Sequence, residues 1–448
     1  MHKAHQFLRG NQLRRNASSG TIVALINIVL LLLSYPIYLN YLGVEWYGLW
    51  ATLSVVIVMS QMGNLGIHLA VARHIAEACG RKDIEEVWKL AMAAVCLMLF
   101  PCFLTIFVCF GFKEEILSML SLENVYLKSA SSIFPFIGLL SALILMVEVL
   151  KGVIIGIGKM DAANYIFLAS RIVQFGTSVA FLIAQKGVVS LLYGACACYL
   201  LMAIAYSAYI YFTLEKIPTS IFHTTVGHVK KLIGFGAYIA SANLVSLLMD
   251  PLNKILLARY VGLETVTFYE IGLKGVQVIR TVFESAIKAI MPAIGNLSGV
   301  GLGIRNTILR IHKKTLRLLC MTAVPAFTSL FIFGDIALRI WIGDNFSEQM
   351  VTTLRWFTVG YLFNLMSVPS FYILLGLDQP QHAFYTALLG SLVHFGIIVI
   401  LLLTGIGVSL LLLVQTYTLA MIGASLYIVL VNFYIMNHFD FSVLRQNK

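Results

Sequence analysis

The chain has 448 residues, 60% of them hydrophobic and only 11% charged, with 31 basic and 20 acidic side chains for a net charge of +11. A soluble domain is about half apolar and a quarter charged, so this much apolar surface exceeds what one core can hide and requires lipid as part of the solvent. In such a chain the positive balance reports topology before it reports nucleic acid, and the seven cysteines, with no CxxC pair and no metal spacing, read as small apolar residues rather than a disulfide framework.

Apolar runs of roughly 20 residues predict spanning helices. Arg9, Arg14 and Arg15 precede the first run, 17–42. Its stretch from Thr21 to Leu42 is too long for a signal-peptide core and no small-x-small cleavage site follows, so a retained helix is expected. Further runs occupy 47–75, 88–111, 131–157, 162–184 and 188–213, then 231–259, 265–292, 315–340, 353–377, 381–404 and 406–436. The expected fold is an all-α polytopic membrane protein of twelve helices with no inserted soluble domain. It divides into six-helix bundles over 1–213 and 231–448, joined by a cytoplasmic linker, 214–230. Basic residues favour the side of the N-terminus and the even-numbered connections by roughly three to one, which predicts cytoplasmic termini.

Three short matches recur at one spacing. YLGVE (41–45) faces YVGLE (260–264), 219 positions on; GIGKMDAANY (156–165) faces GLDQPQHAFY (376–385), and RIVQFG (171–176) faces SLVHFG (391–396), both 220 positions on. The matches fall at equivalent places in the two halves. Six helices is an even number, so the halves enter the membrane from the same side as parallel repeats related by an axis along its normal. That arrangement is typical of secondary transporters that rock two lobes about a central site.

Charges within spans are costly and so point to function. The eighth span carries Glu270, Lys274, Gln277, Arg280, Thr281, Glu284 and Lys288 on one stripe. Its i,i+4 pairs, Glu270–Lys274, Arg280–Glu284 and Glu284–Lys288, lower that cost. The stripe is either a self-neutralised seam packed on a neighbouring helix or the wall of a water-filled cavity. The seventh span adds Asn243, Ser246, Asp250, Asn253 and Lys254 beside Pro251, where Asp250 is an ion-coupling carboxylate or the partner of Lys254. Milder polar positions are Asn27 and Ser34 in the first span and Ser54, Gln61, Asn64 and His68 in the second. Glu148 and Lys151 are expected to pair near the inner end of the fourth span, and His394 stands where the first half has Gln174, a polar packing position. GVIIGIGKM (152–160) has a spacer one residue too long for a phosphate loop and no Ser or Thr after its lysine, so ATP hydrolysis by this chain is not expected.

YLGVEWYGLWATLSVV (41–56), MGNLGIHLAVARHIAE (62–77) with the basic GRKD (80–83), and MDPLNKILLARYVGLETVTFYEIG (249–272) resemble Wzx-type oligosaccharide flippases. These belong to the multidrug/oligosaccharidyl-lipid/polysaccharide (MOP) exporter superfamily. Asn64 stands where that family often has an acid, and Phe268 where glycine is common. The resemblance implies a carrier, not an enzyme, in the bacterial cytoplasmic membrane, turning an undecaprenyl-pyrophosphate-linked repeat unit of O-antigen or a similar polysaccharide to the outer leaflet. Lys274, Arg280 and Lys288 would hold diphosphate or acidic sugars, and Gln277, Asn243, Gln61, Asn64 and Asn27 would bind hydroxyls. Proton or sodium exchange at Asp250, Glu270 or Glu284 is the candidate coupling. No metal or cofactor is expected. The expected partners are the lipid-linked oligosaccharide, the bilayer and other polysaccharide-assembly proteins, with no nucleic acid. Lys151, Lys254, Lys274, Arg280 and Lys288 outnumber Glu148, Asp250, Glu270 and Glu284 by one, a slight lean toward an anionic cargo. The alternatives are a MATE-like drug or cation antiporter and a membrane glycan polymerase or glycosyltransferase. The second would be expected to place its carboxylates on a long outer loop, which this sequence lacks.

Overall fold

The computed structural model describes residues 2–64, 67–81, 83–214, 227–229, 232, 248–287, 304–377, 379, 381–405 and 407–438. Among these there is no strand. The chain separates into two compact units, Met1–Ala240 and Ser241–Lys448. The first holds α1 (His2–Leu42), α2 (Val44–Leu53), α3 (Val55–Gln61), a 3₁₀ turn (Met62–Asn64), α4 (Ile67–Gly80), α5 (Ile84–Gly111), α6 (Lys113–Ser118), α7 (Asn124–Gly156), α8 (Met160–Ile183) and α9 (Val189–Leu214). The second holds α10 (248–260), α11 (Leu263–Ile287), α12 (Ile304–Ile342), α13 (Glu348–Gly376), α14 (Gln381–Leu403) and α15 (Leu410–His438).

Nine helices among the described residues are long and apolar enough to cross a membrane, or ten if the bent run Val44–Gly80 is one span. The second predicted span, 47–75, is therefore not one straight helix: it breaks at Met62–Asn64 and its two parts meet at 41°. Gly63 sits where an added Cβ would lie 2.9 Å from the Pro101 Cβ, so close approach to α5 demands glycine there. Of the seventh predicted span, 231–259, only its later part is described in full, as α10. α11 has 25 residues but is not among the apolar spans, because Glu264, Glu270, Lys274, Arg280 and Glu284 interrupt it. α12 begins well before the predicted 315, with its basic first turns already helical.

The repeated phrases are repeated chain reversals. Gly43 and Gly262 both take positive φ, 81° and 127°, and each is followed at once by a helix with a glutamate in its first turn. Only glycine enters that region without steric cost, and the glutamate complements the positive helix start. At the second match, Ile157 N–H bonds Val153 C=O (3.0 Å) and Lys159 N–H bonds Ile154 C=O (3.1 Å). The same two bonds recur 220 residues on, Leu377 to Ile373 (3.0 Å) and Gln379 to Leu374 (2.9 Å). A further correspondence escaped the sequence. Gln185 and Gly405 both have positive φ, 57° and 75°, and end α8 and α14 with matching hydrogen bonds. Gln185 carries the backbone strain that glycine avoids, so residue identity hides the repeat.

Each unit is built around one helix. The best apolar windows of α7 and α13 are both 61% buried, more than any other span, so these two are the posts on which their units pack. α7 is packed by α3, α4, α5 and α9, and α13 by α11, α12 and α15. Outward faces carry large apolar side chains such as Phe100, Phe212, Ile340 and Leu403, as lipid contact allows. Glycines set the closest approaches. A Cβ on Gly152 would lie 2.6 Å from the His68 carbonyl, and one on Gly156 2.7 Å from the Ile75 Cβ, so α4 lies backbone against α7. In the second unit Leu354 of α13 seats against Gly275 of α11 and Gly334 of α12, at 3.0 and 2.7 Å from where their Cβ atoms would be.

Candidate functional site

That glycine notch brings the stripe of α11 onto α13. The two helices rise together, so partners keep one separation: Gln277 Nε2 donates to Tyr361 OH (3.0 Å), and Arg280 Nε donates to Asn364 Oδ1 (3.0 Å). One turn on, Tyr372 OH donates to Glu284 Oε1 (3.2 Å). Arg280 also pairs with Glu284 at 3.0 Å, and its guanidinium lies 5.7 Å from the centre of the Tyr361 ring. Arg280, Glu284, Tyr361, Asn364, Tyr372 and Tyr417 help line a cavity of about 390 Å³ within the second unit. The volume falls in the range of small-molecule sites.

The other end of the stripe is closed. Lys254 of α10 bridges Asp250 (3.0 Å) and Glu270 (2.6 Å). Lys254 and Glu270 side chains are only 6% and 9% exposed, so the pair is a buried internal support and not a surface contact. Lys274 reaches Glu270 at 3.8 Å and donates to Gln277 at 3.1 Å. Behind them Asn253 donates to Tyr269 OH (3.2 Å), and His394 Nε2 donates to Asn253 Oδ1 (2.8 Å). His394 is fully buried, in keeping with the packing role expected for it.

The stripe thus forms a paired seam from Lys254 to Lys274, and its later residues Arg280 and Glu284 line the cavity. Three cations, Lys254, Lys274 and Arg280, face three carboxylates, Asp250, Glu270 and Glu284. The second unit's described cluster is balanced, and the single positive charge of the sequence count does not lie in it. Lys288 and Asn243 lie outside the described residues. Asp250 has the lysine partner that its i,i+4 spacing allowed.

In the first unit the candidates are scattered. Asn27 is half-buried on α1 and Gln61 half-buried at the end of α3. Asn64 is buried, and its Oδ1 accepts from His68 N–H (3.3 Å), using the side chain to satisfy the open first turn of α4. Ser34 and Ser54 bond back to carbonyls of their own helices. Glu148 and Lys151 pair at 3.5 Å, as expected. Sequence reading missed Tyr361, Asn364 and Tyr372. All three lie on the tenth predicted span, where two tyrosines and an asparagine at helical spacing were the available signal.

Comparison with known proteins places these features. Residues 13–298 match a family described as "Polysaccharide biosynthesis protein". A Shigella flexneri protein named "Putative O-antigen transporter" is 21% identical over 350 residues, covering 76% of this chain and 79% of the relative. Among solved structures, an inward-facing multidrug resistance MATE family transporter of the MOP superfamily superposes with a TM-score of 0.73 at 13% identity, covering 96% of this chain and 99% of the other. The lipid II flippase MurJ in an inward closed conformation gives 0.69 at 13% identity, with 93% and 89% covered. The fold is that of the MOP superfamily, and the chain belongs to the polysaccharide biosynthesis protein family.

Proposed function

We propose that this chain carries a lipid-linked oligosaccharide across the bacterial cytoplasmic membrane, delivering repeat units for O-antigen or a similar surface polysaccharide. The observation that carries the reading is the α11 stripe: ionised and amide side chains on a helix of the second unit, with Arg280 and Glu284 lining a cavity. Such groups are retained in a bilayer where a polar cargo uses them. Membership of the polysaccharide biosynthesis protein family and the Shigella flexneri relative named an O-antigen transporter support a glycan cargo. The chain acts as a carrier and not an enzyme. The two units alternate access to the two membrane faces, both termini are cytoplasmic, and proton or sodium exchange at Asp250, Glu270 or Glu284 assists. Polysaccharide-assembly proteins that supply and consume the cargo are the natural partners.

The test is surface display in a strain deleted for the gene and complemented with variants. Arg280→Ala at normal abundance should abolish display and leave lipid-linked glycan on the inner leaflet; unchanged display removes the cavity from the function. A second reading, export of organic cations, is favoured by the tyrosines Tyr361, Tyr372 and Tyr417 beside Glu284, a setting that suits a cation. Drug efflux from resting cells, with normal glycan display in the deletion strain, would decide for it.

A further inference from the structure

Among the described residues, the cations of the second unit's cluster, Lys254, Lys274 and Arg280, are matched by Asp250, Glu270 and Glu284, and a cation without such a match is Arg171 in the first unit. It lies at the middle of the 24-residue α8. The ends of α8 are about 16 and 18 Å away at 1.5 Å per residue. That is more than an arginine side chain spans, so its charge cannot snorkel to the interface. The lipid-exposed face of α8 holds Tyr165, Ile172 and Val173, and Arg171 lies on the other side with Asn164, Phe167 and Gln174.

Lys254, Lys274, Arg280 and Lys151 each have a carboxylate within 4.0 Å, but Arg171 has none among the described residues. One Nη donates to Gln174 Oε1 (2.6 Å), while Nε is buried without a hydrogen-bond partner. The Phe167 ring has Arg171 at 5.1 Å and Lys151 at 6.0 Å, so two cations flank one ring and Glu148 neutralises only one of them. Asn27 joins the same level. α1 and α8 are linked at Ser19–Asn164 (3.0 Å), and Asn27 and Arg171 stand eight and seven residues further along these helices. An arginine at the centre of a span costs about 2.5–3.5 kcal/mol and is retained where it has a partner.

We propose that Arg171, with Lys151 beside it and Asn27 level with it, is an anion site in the first unit that takes the diphosphate headgroup of the carried lipid. This rests on the function proposed above and moves the phosphate contact away from Lys274 and Arg280, whose charges are spent on Glu270 and Glu284. A charge-assisted hydrogen bond to a phosphate oxygen is worth about 1.5–3 kcal/mol, so its loss corresponds to a ten-fold or greater loss of affinity.

The experiment titrates the full-length protein in nanodiscs of zwitterionic lipid with polyprenyl diphosphate, with unphosphorylated polyprenol and with inorganic pyrophosphate, reading bound ligand by native mass spectrometry. The wild type should prefer the diphosphate lipid over the polyprenol by at least about ten-fold. Arg171→Gln should erase that preference, and Arg171→Lys should keep most of it. A wild-type preference that survives in folded Arg171→Gln overturns this proposal alone. A wild type that does not distinguish diphosphate lipid from polyprenol overturns the cargo reading with it. Equal competition by inorganic pyrophosphate would assign the site to a free anion instead. Where Arg171→Gln gives no folded protein, Lys151→Gln decides: a three-fold or larger loss supports the site, and unchanged affinity rejects it.

Discussion

Lys254 sits between two carboxylates on two helices, and its buried position decides what its removal does. Breaking a buried pair from one side costs about 3–5 kcal/mol, because the remaining charge keeps its desolvation penalty and loses its partner. Lys254→Met should therefore lower the thermal midpoint of the detergent-solubilised protein sharply. Adding Glu270→Gln should recover more than half of the loss, since the orphaned charge goes with it. A double variant as unstable as the single one would show that Lys254 stabilises through packing alone. The residue scale also shows where sequence reading stops. The pair Glu270–Lys274 was legible from its i,i+4 spacing, yet it is the long one at 3.8 Å, while the 2.6 Å contact goes to Lys254 on the preceding helix. Spacing along one helix fixes which residues share a face; it says nothing about which neighbour that face meets. Asn64 fails for a related reason: its position on a polar face was readable, its use in closing the first turn of α4 was not.

At the scale of elements, glycines decide how near two helices come. Gly152 on α7 has the His68 backbone where its Cβ would be, whereas Gly176 on α8 has nothing within 4 Å of that point. Gly152→Val should therefore push α4 off α7, costing about 1–3 kcal/mol by overpacking and lowering the yield of folded protein. Gly176→Val should leave both yield and thermal midpoint close to wild type. Equal behaviour of the two variants would mean that α4 and α7 are not held by this contact. Most helices were legible because apolar runs end at real reversals: the YLGVE and YVGLE phrases mark Gly43 and Gly262 at positive φ. The break at Met62–Asn64 was not: Gln61, Gly63 and Asn64 interrupt the apolar run there, but a close contact that lies across space, at Pro101, cannot be read along the chain. The cavity-lining face of α13 was passed over in the same way. Tyr361, Asn364 and Tyr372 carry no charge, and their importance appears only when α11 lies against them.

For the whole molecule, the duplicated halves and the uneven charge lead to a prediction about energy. Helix ends recur 220 residues apart with the same backbone bonds, so the two units share one plan. Their polar clusters differ: among the described residues, Lys254, Lys274 and Arg280 are matched by carboxylates, while Arg171 of the first unit has none within 4.0 Å. A carrier with that net charge favours an anionic cargo, and an anion leaving the cytoplasm moves down the inside-negative potential. Each elementary charge gains about 2.3 kcal/mol per 100 mV, so a diphosphate with about two negative charges gains roughly 4–5 kcal/mol. That corresponds to more than a thousand-fold shift in the equilibrium distribution between leaflets. In proteoliposomes of a single orientation holding a fluorescent diphosphate lipid, an inside-negative potassium diffusion potential should drive the probe to the outer leaflet. Reversing the potential should reverse the drift, and an electroneutral analogue should ignore both. Movement indifferent to the potential, but set by an imposed proton or sodium gradient, would show that coupled ions cancel the cargo's charge. The exchange would then have to be sought at Asp250, Glu270 or Glu284. Drift of the anion toward the positive side without a proton or sodium gradient would show that the bilayer potential alone suffices, and that the balanced seam around Lys254 is there to hold α10 against α11 and not to move protons.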